Sequence, residues 1–397
     1  SVADWRRDWA ALSLEDRYLD ALTLAHAAIG LSSTDPARLM TWGEGFGGGL
    51  AIVAASLVPG VIRCAALNPL PGDLRAMCDG AVGTDRAVLD GPTAALRACV
   101  SVPGFDPADP AASLEAPDSP FLNRALQAYA VGSVFKPVLA AAALEAGLAP
   151  EYDCNGAVVV DGQIFRCAGG VPHGEVDLSA ALAKSCNGYF IRLGQQLGAQ
   201  ALLQQAQALG FGRSIGLAEG LTAQSGALPG AEELAQSGQL ANFSFGQGSL
   251  LATPLQVAAM MNTIANGGVY RAPCLLDCAL DETSGEELSA FARPQAERVL
   301  TEQTAAALRT MLEQTVAEGT AQDASGLPGG AAGKTGTAQT GQFTAEGKER
   351  KNLWFAGFYP AEDPQYTIVV LQDGQTQAAV SSAAVFAQLC TALHWLG

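Results

Sequence analysis

The chain has 397 residues, 49% hydrophobic and 15% charged. That excludes a disordered protein, allows a sizeable core and suggests one large domain or two ordinary ones. Lys and Arg number 22 against 39 Asp and Glu, a net charge of −17, which makes nucleic-acid binding and electrostatic docking to anionic lipid poor readings.

No apolar stretch reaches the roughly 18 residues of a membrane span. The best, Leu50 to Val58, is about half that and is stopped by Pro59 and Gly60. The opening SVADWRRDWA has no apolar core of a signal peptide, so the chain reads as a soluble piece of something longer. Nine cysteines show no paired C-x-x-C spacing, which gives zinc or thioredoxin-like chemistry little support. Neither a metal nor a cofactor is expected. Cys154 and Cys167 flank one short segment and read either as free thiols or as a pair joined in an oxidising compartment.

In chain order, residues 1–85 read as helix, strand, glycine-rich turn, helix and strand. The first helix is LSLEDRYLDALTLAHAAIG, stopped by Gly30, and RLMTW leads through GEGFGGG into LAIVAASLV. A second region, 86–397, opens with two short strands, RAVLDG and AALRACVSV, around Gly91-Pro92. A loop rich in Pro, Asp and Ser runs from Pro103 to Pro120. Helices then dominate: one beginning near Ser133 and stopping at Gly147, the amphipathic SAALAKSCNGYFIRLGQQLG ending at Gly198, TPLQVAAMMNTIANGG, and TEQTAAALRTMLEQTVAEG ending at Gly319. GKTGTAQT, NLWFAGFYP and YTIVVLQDG return to strands, and SSAAVFAQLCTALHWLG closes the chain as a helix. Strands at both ends with helices between predict an antiparallel sheet built from distant segments and covered by helices, an α+β or mixed α/β architecture.

Three short patterns carry chemistry. In Ser133-Val-Phe-Lys136, residues three apart share a helix face, so an ammonium sits against a hydroxyl. Pro137 is tolerated only near a helix start, which places Ser133 at the N-terminus. A serine nucleophile needs an adjacent base, and a lysine serves only when burial or positive neighbours lower its pKa. Alone, the pattern reads more readily as a serine N-cap followed by a surface lysine. In Ser185-Cys186-Asn187, between helical segments, the serine can relay a proton and the asparagine offers both amide groups; capping at a helix junction is the alternative. In Lys334-Thr335-Gly336-Thr337, on a predicted strand, a cation and two hydroxyls suit a carboxylate, and the glycine permits close approach. A protective lysine on an edge strand is the competing reading.

The chain holds only five lysines, at 136, 184, 334, 348 and 351. An S-x-x-K and a K-T-G falling by accident in the order used by penicillin-recognising acyl-transfer enzymes is therefore improbable. Residues 86–397 resemble the transpeptidase domain of class B penicillin-binding proteins. PFLNRALQAYAVGSVFKP is similar to the family's approach to its nucleophile, FGQGSLLATPLQVAAMMNTIANGG to a later stretch, and NLWFAGFYP to the strand after K-T-G. Where the family has Pro-Gly before the nucleophile, this chain has Val131-Gly132.

The resemblance implies a penicillin-binding/β-lactamase-like fold and a set of roles. Ser133 attacks the carbonyl between the terminal D-alanines of a peptidoglycan stem peptide, and Lys136 takes its proton. Ser185 passes the proton toward the leaving amine, and Asn187 holds the peptide amide. Lys334, Thr335 and Thr337 hold the substrate carboxylate, with Gly336 between them. The N–H groups of Ser133 and Thr337 form the oxyanion hole. A second stem peptide accepts the acyl group, and β-lactams acylate the same serine and stay bound. An extracytoplasmic, membrane-anchored full-length protein with partner proteins of cell-wall synthesis is also implied. A D,D-carboxypeptidase, a β-lactamase and a non-catalytic β-lactam sensor share the same acylation groups and stay open.

Residues 1–85 resemble instead the nucleophile-elbow region of α/β-hydrolases, particularly acetyl xylan esterases. The elbow needs G-x-S-x-G, and here Gly43-Glu44-Gly45-Phe46-Gly47 has glycine at the serine position. The segment is therefore expected to be catalytically silent, and an esterase is the weaker alternative function. His26 and His173 are expected in structural roles, and Trp354 and Phe355 in the core.

Overall fold

The computed structural model describes residues 84–396, apart from 91–93, 106–109, 117–118, 219, 276–277, 281–286 and 291–293. The elements expected for residues 1–83, with His26 and the Gly43–Gly47 turn, lie outside the described residues.

The described chain opens with an antiparallel pair, β1 (Thr84–Asp90) and β2 (Leu96–Val100). Helix α1 (Lys136–Glu145) follows the first loops. Four short strands come next: β3 (Tyr152–Cys154), β4 (Ala157–Val160), β5 (Gln163–Arg166) and β6 (Gly174–Val176). β3 pairs with β6 around the β4–β5 hairpin. Helices α2 (Leu178–Ala183), α3 (Asn187–Leu197), α4 (Ala199–Ala208), α5 (Pro254–Ala265) and α6 (Glu302–Ala317) lead to three long strands. These are β7 (Ala332–Phe343), β8 (Glu349–Tyr359) and β9 (Tyr366–Gln375), and α7 (Ser382–Leu396) ends the described chain.

The long strands join the first pair in one antiparallel sheet, in the order β7-β8-β9-β1-β2. Distant segments do build the sheet, with Leu89 opposite Thr367. Both faces of β8 and β9 are covered, so these two strands read as continuous apolar runs rather than as clean alternation. Alternate residues serve two cores. Trp354, Ala356, Phe358, Val369 and Leu371 join Met260 and Leu255 of α5, whereas Phe355, Ile368 and Val370 join Phe386 of α7. Helix α5 is buried along its whole length; most of its surface is apolar, and its polar side chains Gln256, Asn262 and Thr263 are hydrogen-bonded inside. Its start is fixed by a capping box: Thr253 Oγ1 accepts from Gln256 N–H at 3.2 Å, and Gln256 Oε1 accepts from Thr253 N–H at 2.9 Å.

β1 begins at Thr84, two residues before the start expected for the second region. Two expectations need correction. The helix expected from Ser133 begins at Lys136, after a 3₁₀ turn over Gly132–Phe135. Pro137 has no N–H with which to close an α-helical bond to the Ser133 carbonyl, and the Lys136 N–H takes it in the tighter i to i+3 pattern. The amphipathic stretch ending at Gly198 is two helices, broken at Ser185, whose φ is +55°. Asp177 caps the first by accepting from Ala180 N–H, and Cys186 Sγ caps the second by accepting from Tyr189 N–H.

Candidate active site

The Ser133 turn lies between helix α1 and strand β7 at the edge of the sheet. Gly132 enters it with φ +61°, and a Cβ there would stand 2.6 Å from the Thr337 carbonyl oxygen. A Cβ on Gly336 would stand 3.0 Å from both Val131 O and Val134 N. Only glycine at each position lets the turn and β7 close up this tightly. On the other side the turn meets the loop after residue 243: Gly132 N–H donates to Gly246 O at 2.8 Å, and a Cβ on Gly246 would collide with Gly132 O. From the sheet, Trp354 Nε1 and Asn352 Nδ2 donate to Ala130 O at 2.9 and 3.3 Å. Ser133 is therefore presented, half-buried, on a turn clamped from three directions.

Lys136 is fully buried at the first position of α1. Its ammonium donates to Ser185 O at 2.7 Å, to Asn187 Oδ1 at 2.7 Å and to Ser185 Oγ at 3.1 Å, and lies 5.4 Å from the Phe190 ring centre. Burial pulls its pKa down from 10.5 to about 7, against a smaller upward electrostatic pull from Cys186 and Cys167. The S-x-N segment is thus directly bonded to the S-x-x-K lysine. Asn187 uses its other end as well, with Nδ2 donating to Arg166 O at 2.9 Å. The backward bend at Ser185 lets one short loop aim a carbonyl, a hydroxyl and an amide at a single ammonium.

The K-T-G segment lies on β7, at one edge of the sheet. Strand alternation puts Thr335 and Thr337 on one face and Lys334 and Gly336 on the other. Lys334 is fully buried, which rules out a protective edge lysine, since that role needs the charge in solvent. Its Nζ donates to Thr335 O at 3.0 Å, and its pKa is lowered by burial first and by the nearby Lys136 charge second. Thr335 Oγ1 shares a 2.6 Å hydrogen bond with Thr320 Oγ1, while Thr337 is exposed. Two buried lysines, each with its pKa drawn down, therefore lie near one another at a strand that forms the edge of the sheet among the described residues.

The structure also joins His173 and Cys186 to the two cysteines, Cys154 and Cys167, whose nearness the sequence suggested. Cys154, Cys167, His173 and Cys186 converge beside Asn187, and Cys154 and Cys167 stand 3.6 Å apart, unbonded. The members of this group come from the end of β3, the two ends of the β5–β6 connection and the start of α3. Asn352, Trp354 and Gly246 act on the site through backbone carbonyls, which leave no pattern in a sequence.

Residues 87–391 match the family described as penicillin binding protein transpeptidase domain. The chain belongs to that family. Residues 10–84 match the family described as acetyl xylan esterase. The chain is 32% identical over 334 residues to the peptidoglycan D,D-transpeptidase PbpA of Mycolicibacterium smegmatis, covering 79% of this chain and 66% of that protein. It is 32% identical over 286 residues to stage V sporulation protein D of Bacillus subtilis, covering 69% of this chain and 42% of that protein. It therefore spans less than two thirds of either curated relative. Among solved structures it resembles the D,D-transpeptidase domain of a peptidoglycan glycosyltransferase from Eggerthella lenta, with TM-score 0.72, 29% identity and 81% of each chain covered. It also resembles a ceftriaxone acyl-enzyme complex of penicillin-binding protein A from M. tuberculosis, with TM-score 0.70, 27% identity, and 80% of this chain and 74% of the other covered. No helix among the described residues is long and apolar enough to cross a membrane.

Proposed function

We propose that the chain is a serine D,D-transpeptidase that cross-links peptidoglycan stem peptides through an acyl-enzyme on Ser133, and that β-lactams acylate the same residue. The observation that carries this reading is the buried Lys136, bonded at once to Ser185 and Asn187 one turn from Ser133. A lysine held near pKa 7 is neutral often enough to accept the Ser133 proton at physiological pH. As a neutral amine it keeps two donors, for Ser185 O and Asn187 Oδ1, and turns its lone pair to a hydroxyl.

Ser133 Oγ then adds to the carbonyl between two D-alanines while Lys136 takes its proton. The oxyanion is met by the N–H groups of Ser133 and Thr337, a pair of donors each worth about 3 kcal/mol in such sites. Ser185 returns the proton from Lys136 to the departing D-alanine amine. The hydroxyls of Thr335 and Thr337 bind the terminal carboxylate, and Lys334 keeps the field positive from behind the strand. The open edge of β7 takes the stem peptide as an added strand, with Asn187 holding its amide from the opposite wall. An amine from a second stem peptide resolves the ester and forms the cross-link. A place outside the cytoplasmic membrane, an anchor in the full-length protein and partner proteins of cell-wall synthesis accompany this reading. The unit carrying it is residues 86–397 together with the start of β1.

The test is turnover of a D-Ala-D-Ala thioester mimic with and without a D-amino acid acceptor. Transfer to the acceptor, lost in Ser133→Ala, is expected. Release of free acid alone would move the assignment to a carboxypeptidase, and rapid release of hydrolysed penicillin to a β-lactamase.

A further inference from the structure

Thr320 stands in the bend that follows α6, beside the K-T-G strand. The backbone of the bend is pinned to two helices. The Gly319 and Ala321 N–H groups both donate to Thr315 O, at 3.1 and 3.2 Å, which wraps the chain over the last turn of α6. The Thr320 N–H donates at 3.1 Å to Ala183 O, at the end of α2 and two residues before Ser185. Gly319 packs so closely there that a Cβ would lie 2.4 Å from Ala183 O and 2.7 Å from Thr315 O. Ala321 is fully buried, in the core that also holds Val316 and Phe386. Thr320 itself stays exposed, and its Oγ1 meets Thr335 Oγ1 at 2.6 Å. One side chain thus joins a bend tied to the S-x-N wall of the cleft to the strand that forms the other wall.

Two hydroxyls that share one hydrogen bond keep a single proton free between them, and a carboxylate only accepts. When Thr335 gives its proton to Thr320, its hydroxyl has no donor left for a substrate. When Thr320 gives, the Thr335 proton is available. The backbone of Thr335 is already held, its carbonyl accepting from Lys334 Nζ at 3.0 Å, so the direction of its hydroxyl proton is what stays to be set. A carboxylate arriving on the face of Thr335 and Thr337 favours the second arrangement, and two bonds in series strengthen each other. Water would satisfy two surface hydroxyls equally well; the bend instead uses three backbone hydrogen bonds to bring them together.

We propose that Thr320 donates to Thr335 and so turns the Thr335 hydroxyl proton onto the terminal carboxylate of the acyl donor, which makes Thr320 a specificity-determining residue for donors that end in a free carboxylate. The inference deepens the function proposed above and rests on it. Thr320 touches no reacting atom and is a positioning residue. Because it acts through Thr335, it governs the discrimination between a carboxylate and an uncharged end, and not the chemistry at Ser133.

The test uses the full chain with benzylpenicillin and its methyl ester, which differ only at the carboxylate. Acylation rates are measured with Ser133 present, and reversible affinities by ligand-observed NMR titration in a Ser133→Ala background. In Thr320→Val the preference for the acid over the ester is expected to fall about tenfold in both measurements, with the ester values and the far-ultraviolet circular dichroism unchanged. Thr320→Ser, which keeps the hydroxyl, is expected to retain the preference. Thr320→Val added to Thr335→Val is expected to lower it no further, since the first residue acts through the second. An undiminished preference in Thr320→Val, an equal loss for acid and ester, loss of the preference in Thr320→Ser, an additive effect in the double variant, or no preference with Thr320 in place overturns the proposal. A preference in reversible binding that Thr320→Val removes, with no acylation of Ser133 in any chain, upholds Thr320 and defeats the transpeptidase reading.

Discussion

Two buried lysines set the chemistry at the residue scale, and both have pKa values drawn down chiefly by burial. For Lys136 the sign is direct. Below about pH 7 it is an ammonium with three donated bonds and no lone pair; above, it is a base. Acylation by a penicillin is expected to rise about tenfold per unit as pH climbs toward 7 and to level off above it. Stopped-flow rates between pH 5 and 9 check this, and a flat profile would remove Lys136 as the base. Folding is linked to the same group. Between about 7 and 10.5 the folded chain holds fewer protons at Lys136 than the unfolded chain, so the burden of burying it shrinks as pH rises through that window. Asn187→Ala takes away one of the three acceptors around Lys136 and the bond from Asn187 Nδ2 to Arg166 O. It is expected to cost about 1–3 kcal/mol, read as a drop of at least fivefold in acylation rate, whereas unchanged acylation would mean that Asn187 carries nothing.

At the scale of elements, the site depends on how closely a turn meets a strand. Gly132→Ala puts a methyl group 2.6 Å from Thr337 O at a residue with φ +61°. Gly147→Ala has similar strain, at φ +66°, but meets no heavy atom within 4 Å. The second is expected to lose about 1–2 kcal/mol of stability and keep its acylation rate. The first is expected to lose more stability and most of its acylation, as denaturant melts and penicillin labelling would show. Equal behaviour of the two variants would mean that the turn and β7 do not need to touch. Thr253→Ala removes one half of the α5 capping box and is expected to lower stability by about 1 kcal/mol without altering acylation. The elements themselves were largely legible. Pro137, the lysines at 136 and 334 and the apolar runs of β8 and β9 mark them in the sequence. The break at Ser185 was legible only as a junction, because a positive φ at a serine is imposed by its surroundings and not by its type. Of the thiol and imidazole cluster only the nearness of Cys154 and Cys167 was legible, since β3, the β5–β6 connection and the start of α3 must fold before His173 and Cys186 join them.

For the whole molecule, the sheet ties the two ends of the described chain together. β1 lies between β9 and β2, pairing Thr84 through Asp90 with Gln372 through Tyr366. A chain starting at Thr84 is therefore expected to fold and to bind penicillin, whereas one starting at Gly91 leaves β9 without its neighbour and is expected to be insoluble or inactive. Folding of the shorter chain would show that β1 is dispensable. The same sheet carries Lys334 at its edge and brings it to the turn of Ser133, the helix that begins at Lys136 and the loop of Ser185. Three patterns far apart in sequence become one site only because β7 closes the sheet. The most direct test of that account is mass spectrometry of the intact protein and its peptides after exposure to a penicillin. The expected result is one added drug mass, located on Ser133 and absent from Ser133→Ala. A drug adduct of equal yield in Ser133→Ala, or one located on another residue, would contradict it.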